Sequence, residues 1–263
     1  MTEALLAYLL LGAFTGIMAG LFGVGGGLLI VPVLTGMLTG FGIATEQVVH
    51  IAIGTSLGTI VFTSLSSIRA HHRRGAVQWP LVRIMAPGII LGAILGALVA
   101  GQFDRNELRT IFALFEFAVA IYLFLSPVPT PRANNMGKPL LIGTGGIIGM
   151  VSSLLGIGGG TMTVPFLVWN RVRVQEAVAT AAACGLPIAL AGVTGFMLVG
   201  LGRDDLPALA TGYVYWPALA GIALTSILFA PVGAALAHRL PAQKLKKAFA
   251  LLLVILGIKM LLS

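Results

Sequence analysis

Two runs of glycine hold the residues best suited to chemistry in this chain. "GLFGVGGGLLIVPVL" begins at Gly20, and "SLLGIGGGTMTVPFL" begins at Ser153. Each run puts four glycines within five residues, Gly23, Gly25, Gly26 and Gly27 in the first and Gly156, Gly158, Gly159 and Gly160 in the second. Pro32 and Pro165 follow five residues later, and matching positions such as Gly23 and Gly156 stand 133 apart. Glycine takes positive φ, and its amide can approach a ligand with no side chain between. Where such a turn opens a helix, free N–H groups and the positive end of the helix dipole make a cradle for an anion. Consecutive glycines destabilise a helix interior, so close packing alone is the weaker reading of these runs. A dinucleotide or phosphate loop does not fit. No strand pattern precedes either run, no "GK[ST]" is present, and no acidic residue follows at the required spacing.

Other polar residues in apolar surroundings are candidates to join that chemistry. Thr161 and Thr163 directly follow the second run, where the first has Leu28 and Ile30, so the two cradles are chemically unequal. His50 opens an apolar stretch that includes Thr55 and Ser56, and the second half offers Thr180 and Cys184. Hydroxyls there either complete the shell of an oxyanion or bond their own helix carbonyls. Arg83, four residues beyond Trp79, either grips an entering anion bidentately or snorkels to lipid headgroups. Glu116 lies midway along "TIFALFEFAVAIYLF", where an ionised carboxylate is expensive, so it should be neutral or paired. Taking up and releasing a coupled proton is one role for it, with His50 as the second coupling candidate. A hydrogen bond to a neighbouring helix is the plainer one, and the repeat puts Leu253 at the matching position. His71 and His72 stand in a basic segment and read as solvated.

No enzyme is indicated: there is no HExxH, no cysteine cluster and no pair of acids at depth. The single cysteine, Cys184, excludes an internal disulfide and a multi-cysteine metal site. No cofactor and no metal are expected.

The elements that position these residues are membrane helices. Of 263 residues 58% are hydrophobic and only 9% charged, with a mean hydropathy of +1.03, against about 25% charged residues in a soluble domain. Long runs such as 86–100, 111–125 and 245–262 carry from none to three charges and read as spanning helices. No alternating pattern of about ten residues suggests a β-barrel. Apolar stretches cover roughly 4–40, 46–68, 79–101, 107–126, 140–169, 174–200, 213–237 and 244–262. The net charge of +8 is what basic cytoplasmic loops give a membrane protein, so nucleic acid is not implied. "MTEALLAYLLLGAF" lacks a positive start and reads as a retained helix and not a cleaved signal.

The chain repeats itself. "RGAVQWPLV" from Arg74 faces "TGYVYWPAL" from Thr211, and a step of 137 then pairs Gly96 with Gly233 and Phe112 with Phe249. The reading is a first repeat over 1–126, a linker over 127–138 and a second repeat over 139–263. The first stretch of each repeat is longer than the roughly 20 residues of one crossing, so each is a broken helix or a re-entrant hairpin. Charge favours the hairpin. That topology leaves Arg105, Arg109, Arg203 and Lys259 on one side and the other twelve of the 16 Lys and Arg on the cytoplasmic side. Three further crossings per repeat then make the second repeat inverted, with both termini periplasmic and the glycine tips within the bilayer. Gly88, Gly92 and Gly96 have small-xxx-small spacing and serve an internal contact or a homodimer equally.

The motifs "GVGGGLLIVP" and "GIGGGTMTVP", the segment "RRGAVQWP" and the two-half organisation together resemble the sulfite exporter TauE/SafE family, over essentially the whole chain. The resemblance implies an inner-membrane permease for sulfite, sulfonates and similar small sulfur-containing anions, with the eight motif glycines, Pro32 and Pro165 as its marked positions. The expectation is a secondary transporter, an exporter by resemblance, binding a small sulfur oxyanion or organosulfonate near the bilayer midplane. A passive anion channel and a scaffold whose glycines only pack are the alternatives.

Overall fold

The computed structural model describes residues 2–22, 26–43, 46–125, 137–237 and 242–262. Helices there run in the order α1 (Thr2–Phe22), α2 (Gly27–Gly40), α3 (Val48–His72), α4 (Trp79–Ala100), α5 (Arg105–Leu125), α6 (Lys138–Leu155), α7 (Gly160–Trp169), α8 (Val174–Val199), α9 (Trp216–Ala237) and α10 (Ala242–Leu262). A short antiparallel ribbon, β1 (Ala210–Thr211) and β2 (Val214–Tyr215), precedes α9. Among the described residues 7 helices are long and apolar enough to cross a membrane, while α2 and α7 are shorter apolar helices. The protein is an all-α polytopic membrane protein.

The glycine runs end one helix and begin the next. Gly26 caps α2 at φ 77°, Gly156 closes α6 at φ 70° and Gly159 caps α7 at φ 72°. A side chain in this left-handed region costs about 1–2 kcal/mol, which is why these three positions are glycine. Both broken segments fold back as hairpins. The ring of Tyr8, near the start of α1, meets Phe41, just past α2, edge-on at 6.1 Å. At the end of α7, Leu167 and Val168 pack with Leu81 in the first turn of α4, and α6 starts beside that same turn.

Small residues bring the long helices into backbone contact. A Cβ on Gly88, Gly92 or Gly96 of α4 would lie 2.0, 2.0 or 2.2 Å from the carbonyl oxygens of Ile142, Gly146 and Met150 of α6. The two helices therefore run side by side in the same direction, and this glycine face is filled within the chain. Gly92→Leu is expected to force α4 and α6 apart and lower stability by about 3 kcal/mol, read as a fall in melting temperature of the purified protein. On the other flank α1 and α9 are parallel in the same way, with Gly12 against Ile222 and Gly233 against Ile17.

At the centre α3 and α8 are antiparallel: Gly54 faces Phe196, Gly192 faces Leu57 and Gly185 faces Ser64. So are α5 and α10, where Arg109 Nε donates to the Met260 carbonyl at 2.8 Å and Lys247 stands over the Phe124 ring. Exchanging α1–α5 for α6–α10 maps the α4–α6 pairing onto α9–α1, and maps α3–α8 and α5–α10 onto themselves. Two hydrogen bonds obey the same exchange. Gln78, before α4, donates its amide to Thr180 Oγ1 on α8 at 3.1 Å, and Tyr215, before α9, donates its amide to Thr55 Oγ1 on α3 at 3.0 Å.

Candidate functional site

The two glycine turns meet at the middle of the bundle. A Cβ on Gly27 would stand 2.3 Å from the Gly156 oxygen and 2.8 Å from the Ile157 Cα, so backbone touches backbone with no side chain between. Gly156 in turn lies against Val31 of α2 and the backbone of Ile53 on α3. Ser56 Oγ donates to the Gly156 carbonyl at 2.8 Å and pins the second turn to α3. Ser56→Ala removes that bond and is expected to cost about 1 kcal/mol, seen as a drop in melting temperature of a few degrees.

A cavity of ≈120 Å³ leads to this junction from one face of the bundle. Its mouth is formed by His71 and Arg74, and its floor includes Gly158 of the second turn and Gly185 of α8. Between them Ser64, Ser66 and Ser67 of α3 line one wall, and Ala19 and Gly20 of α1 with Ala230 and Pro231 of α9 line the others. Ser64, Ser67 and His71 recur at steps of three and four, which puts them on one face of α3, and Arg74 follows in the turn just past its end. In the ribbon before α9, Tyr213 and Val214 are wholly buried. Tyr213 donates its hydroxyl to Gln47 and stacks on His50 at 4.9 Å. Burial pushes the Tyr213 phenol up, with Arg203 opposing and Asp205 reinforcing the shift.

Of the residues singled out in the sequence, Gly26, Gly27, Gly156, Gly158, Gly159, Gly160, Thr161 and Thr163 belong to the two turns and the helices they open. Gly23 and Gly25 lie outside the described residues. Ser56 reaches the site through Gly156, whereas Thr55 is engaged with the ribbon. His50 is held at the ribbon end, its Nε2 at 3.1 Å from the Ala100 carbonyl. Arg83 is exposed on α4 and is not part of the cavity wall. Glu116 is wholly buried on α5, outside the cavity lining, and neither carboxylate oxygen has a hydrogen-bond partner among the described residues.

The sequence reading did not pick out the polar face of α3, and it placed His71 in a solvated segment, whereas it is half-buried at the cavity mouth. Nor did it pick out Ser152 and Ser153, both fully buried in the last turn of α6. The signals were present in the 3-4 spacing of Ser64, Ser67 and His71, and in the first repeat's Ala19 and Gly20 opposite Ser152 and Ser153.

A multi-spanning bundle with two broken-helix turns in contact and a cavity that reaches one of them at Gly158 has the build of a membrane transporter. The sulfite exporter TauE/SafE family matches residues 8–260, and the chain belongs to that family. It is 39% identical to a probable membrane transporter protein of Haemophilus influenzae, covering 98% of each chain. A probable membrane transporter protein of Methanocaldococcus jannaschii is 29% identical over 97% of this chain and 94% of its own. The probable membrane transporter protein MamO of Paramagnetospirillum magneticum is 25% identical over 97% of this chain but only 44% of its own length. No solved structure matches.

Proposed function

We propose that this membrane transporter is a secondary carrier that exports a small sulfur oxyanion or organosulfonate, such as sulfite, bound near the bilayer midplane between the two glycine turns. The observation that carries the reading is the cavity that starts at Arg74 and His71 and ends at Gly158. Basic groups at a mouth concentrate anions, and a glycine turn opening a helix offers amides to receive them.

The two halves are read as inverted repeats. A two-fold axis along the membrane normal would make matching helices parallel, whereas α3 with α8 and α5 with α10 run antiparallel, as an axis in the membrane plane requires. Under that axis the basic face with Arg74, Arg171 and Arg173 is cytoplasmic and both termini are periplasmic, in the cell's inner membrane. The cavity then opens to the cytoplasm, with the ribbon closing the periplasmic side. Rocking of the halves would exchange the Gln78–Thr180 and Tyr215–Thr55 contacts, one at each face. Glu116, buried without a partner, is the residue proposed to carry the coupled proton.

Everted membrane vesicles, with the cytoplasmic face outward, test export directly. They should accumulate labelled sulfite without ATP and release it when the ion gradient is collapsed. Vesicles that only equilibrate the label would mark a channel, and vesicles no different from those lacking the protein would remove the sulfur anion from the reading.

A further inference from the structure

The turns that lead into α4 and α9 correspond when the halves are exchanged. Gly75 and Gly212 both have positive φ, at 65° and 52°. The Ala76 amide bonds the His71 carbonyl of α3 at 3.2 Å, and the Tyr213 amide bonds the Phe196 carbonyl of α8 at 3.3 Å. Tyr213 therefore holds the place of Ala76, and Phe196 that of His71. Matching residues stand 125 apart at Thr55 and Thr180 but 137 apart at Gln78 and Tyr215, so the second half has twelve more residues between these points. They lie between the end of α8 and Gly212, and they include β1 and the charged residues Arg203, Asp204 and Asp205.

The two turns differ in what they fill. Among the described residues a Cβ on Gly75 would meet nothing within 4 Å, whereas one on Gly212 would lie 2.1 Å from the Met197 oxygen. Gly75 is exposed and Ala76 half-buried, next to Arg74 at the cavity mouth. Tyr213 and Phe196 are wholly buried. The Tyr213 ring stacks on His50 of α3 at 4.9 Å and meets the Phe196 ring of α8 edge-on at 6.2 Å. Its hydroxyl donates to Gln47 Oε1, just before α3, at 3.1 Å. One side chain thus bridges α3 and α8 at this end. The matching alanine is too short to bridge them at the other, and there the cavity opens between Ser64 and Ser67 of α3 and Ala182 and Gly185 of α8. The bridge consists of one hydrogen bond between neutral groups and two ring contacts, which are weak enough to break and re-form in a working cycle.

We propose that Tyr213 is a gate residue, the side chain that must leave its slot between His50 and Phe196 before a bound anion can pass to the periplasm. Because Ala76 stands in its place in the first half, the two gates are unequal, and the empty carrier rests with its Arg74 face open. This rests on the transport reading and the orientation above, and adds to them the side chain that decides which face is open.

The test is the rate at which a membrane-impermeant maleimide labels Ser67→Cys, in the cavity wall, from each side of the membrane. The native Cys184 is wholly buried, and protein without Ser67→Cys sets the background. Labelling follows the fraction of molecules open to the side that carries the reagent, so with Tyr213 present it should be at least about tenfold faster in everted than in right-side-out vesicles. Tyr213→Ala should raise the right-side-out rate by at least about tenfold, and Tyr213→Phe, which keeps both ring contacts, should leave it low. Ala76→Tyr puts the ring at the other end without emptying a buried site, and should slow labelling in everted vesicles by at least about tenfold. This second variant decides the matter where Tyr213→Ala does not fold. Equal labelling from both sides with Tyr213 present would overturn the gate. So would a folded Tyr213→Ala that still labels slowly from the periplasmic side, or a folded Ala76→Tyr that labels at the original rate. None of these rates depends on transport, so a protein that labels as expected but moves no anion would keep the gate and sink the transport reading.

Discussion

Replacing Gly27 with alanine should reduce anion transport by at least about 100-fold, the scale of loss for groups displaced by an ångström. The added Cβ would stand 2.3 Å from the Gly156 oxygen and 2.8 Å from the Ile157 Cα. Both obstacles are backbone, so no rotamer change relieves them, and the two turns must move apart. Separation draws Gly156 away from Ser56 Oγ, its anchor on α3, and tilts the amides of the second turn off a common target. Gly40 supplies the control on the same helix. Among the described residues nothing lies within 4 Å of a Cβ there, so Gly40→Ala should transport as the wild type does. Uptake rates of the two variants, compared at equal amounts of folded protein, check this. If Gly27→Ala transports normally, the contact between the turns is not part of the site.

The second large effect has opposite signs for stability and for function. Glu116→Leu is expected to stabilise the fold by about 2 kcal/mol, the penalty of a buried polar group without a partner. The position accepts leucine sterically in the other half, where the matching Leu253 is also wholly buried. The same change should abolish accumulation driven by a pH gradient while leaving downhill exchange of the anion in place, because the carboxyl is the proposed proton carrier. Melting temperature and gradient-driven uptake measured on one preparation separate the two effects. A more stable variant that still accumulates the anion would reduce Glu116 to a buried acid with no part in coupling.

How far the molecule could be read in advance differs from residue to residue. The doubled glycine motif and the hairpin return of each broken segment were legible, because glycine and proline act locally and each leaves a mark in one dimension. The meeting of Gly27 with Gly156 was inferable only through the duplication. Arg83 shows the limit of a lone charge as a signal. A cation one turn inside a helix serves equally well on either face, and packing against α6 leaves Arg83 on the outside. His50 was grouped with the site by its position before Thr55 and Ser56, yet antiparallel packing with α8 carries it to the ribbon end, against Tyr213 and the Ala100 carbonyl. Ser152 and Ser153 resemble the small residues common in membrane helices. What distinguishes them is the lack of a partner, a property of three dimensions that no spacing encodes.

The unequal chemistry of the turns also bears on how a symmetric duplication handles an asymmetric task. Both turns retain the glycines that positive φ and close approach require, since the junction needs both. Only the second turn is flanked by Thr161, Thr163 and the paired serines, where the first has Leu28, Ile30, Ala19 and Gly20.

Counterflow in proteoliposomes tests the central claim most directly, with unlabelled sulfite or methanesulfonate inside and a trace of labelled anion outside. The account predicts transient, saturable accumulation of label by the wild type and none by Gly27→Ala. Label that only equilibrates, or moves no faster than in protein-free vesicles when the protein is folded and inserted, would contradict a carrier whose site lies at the glycine turns.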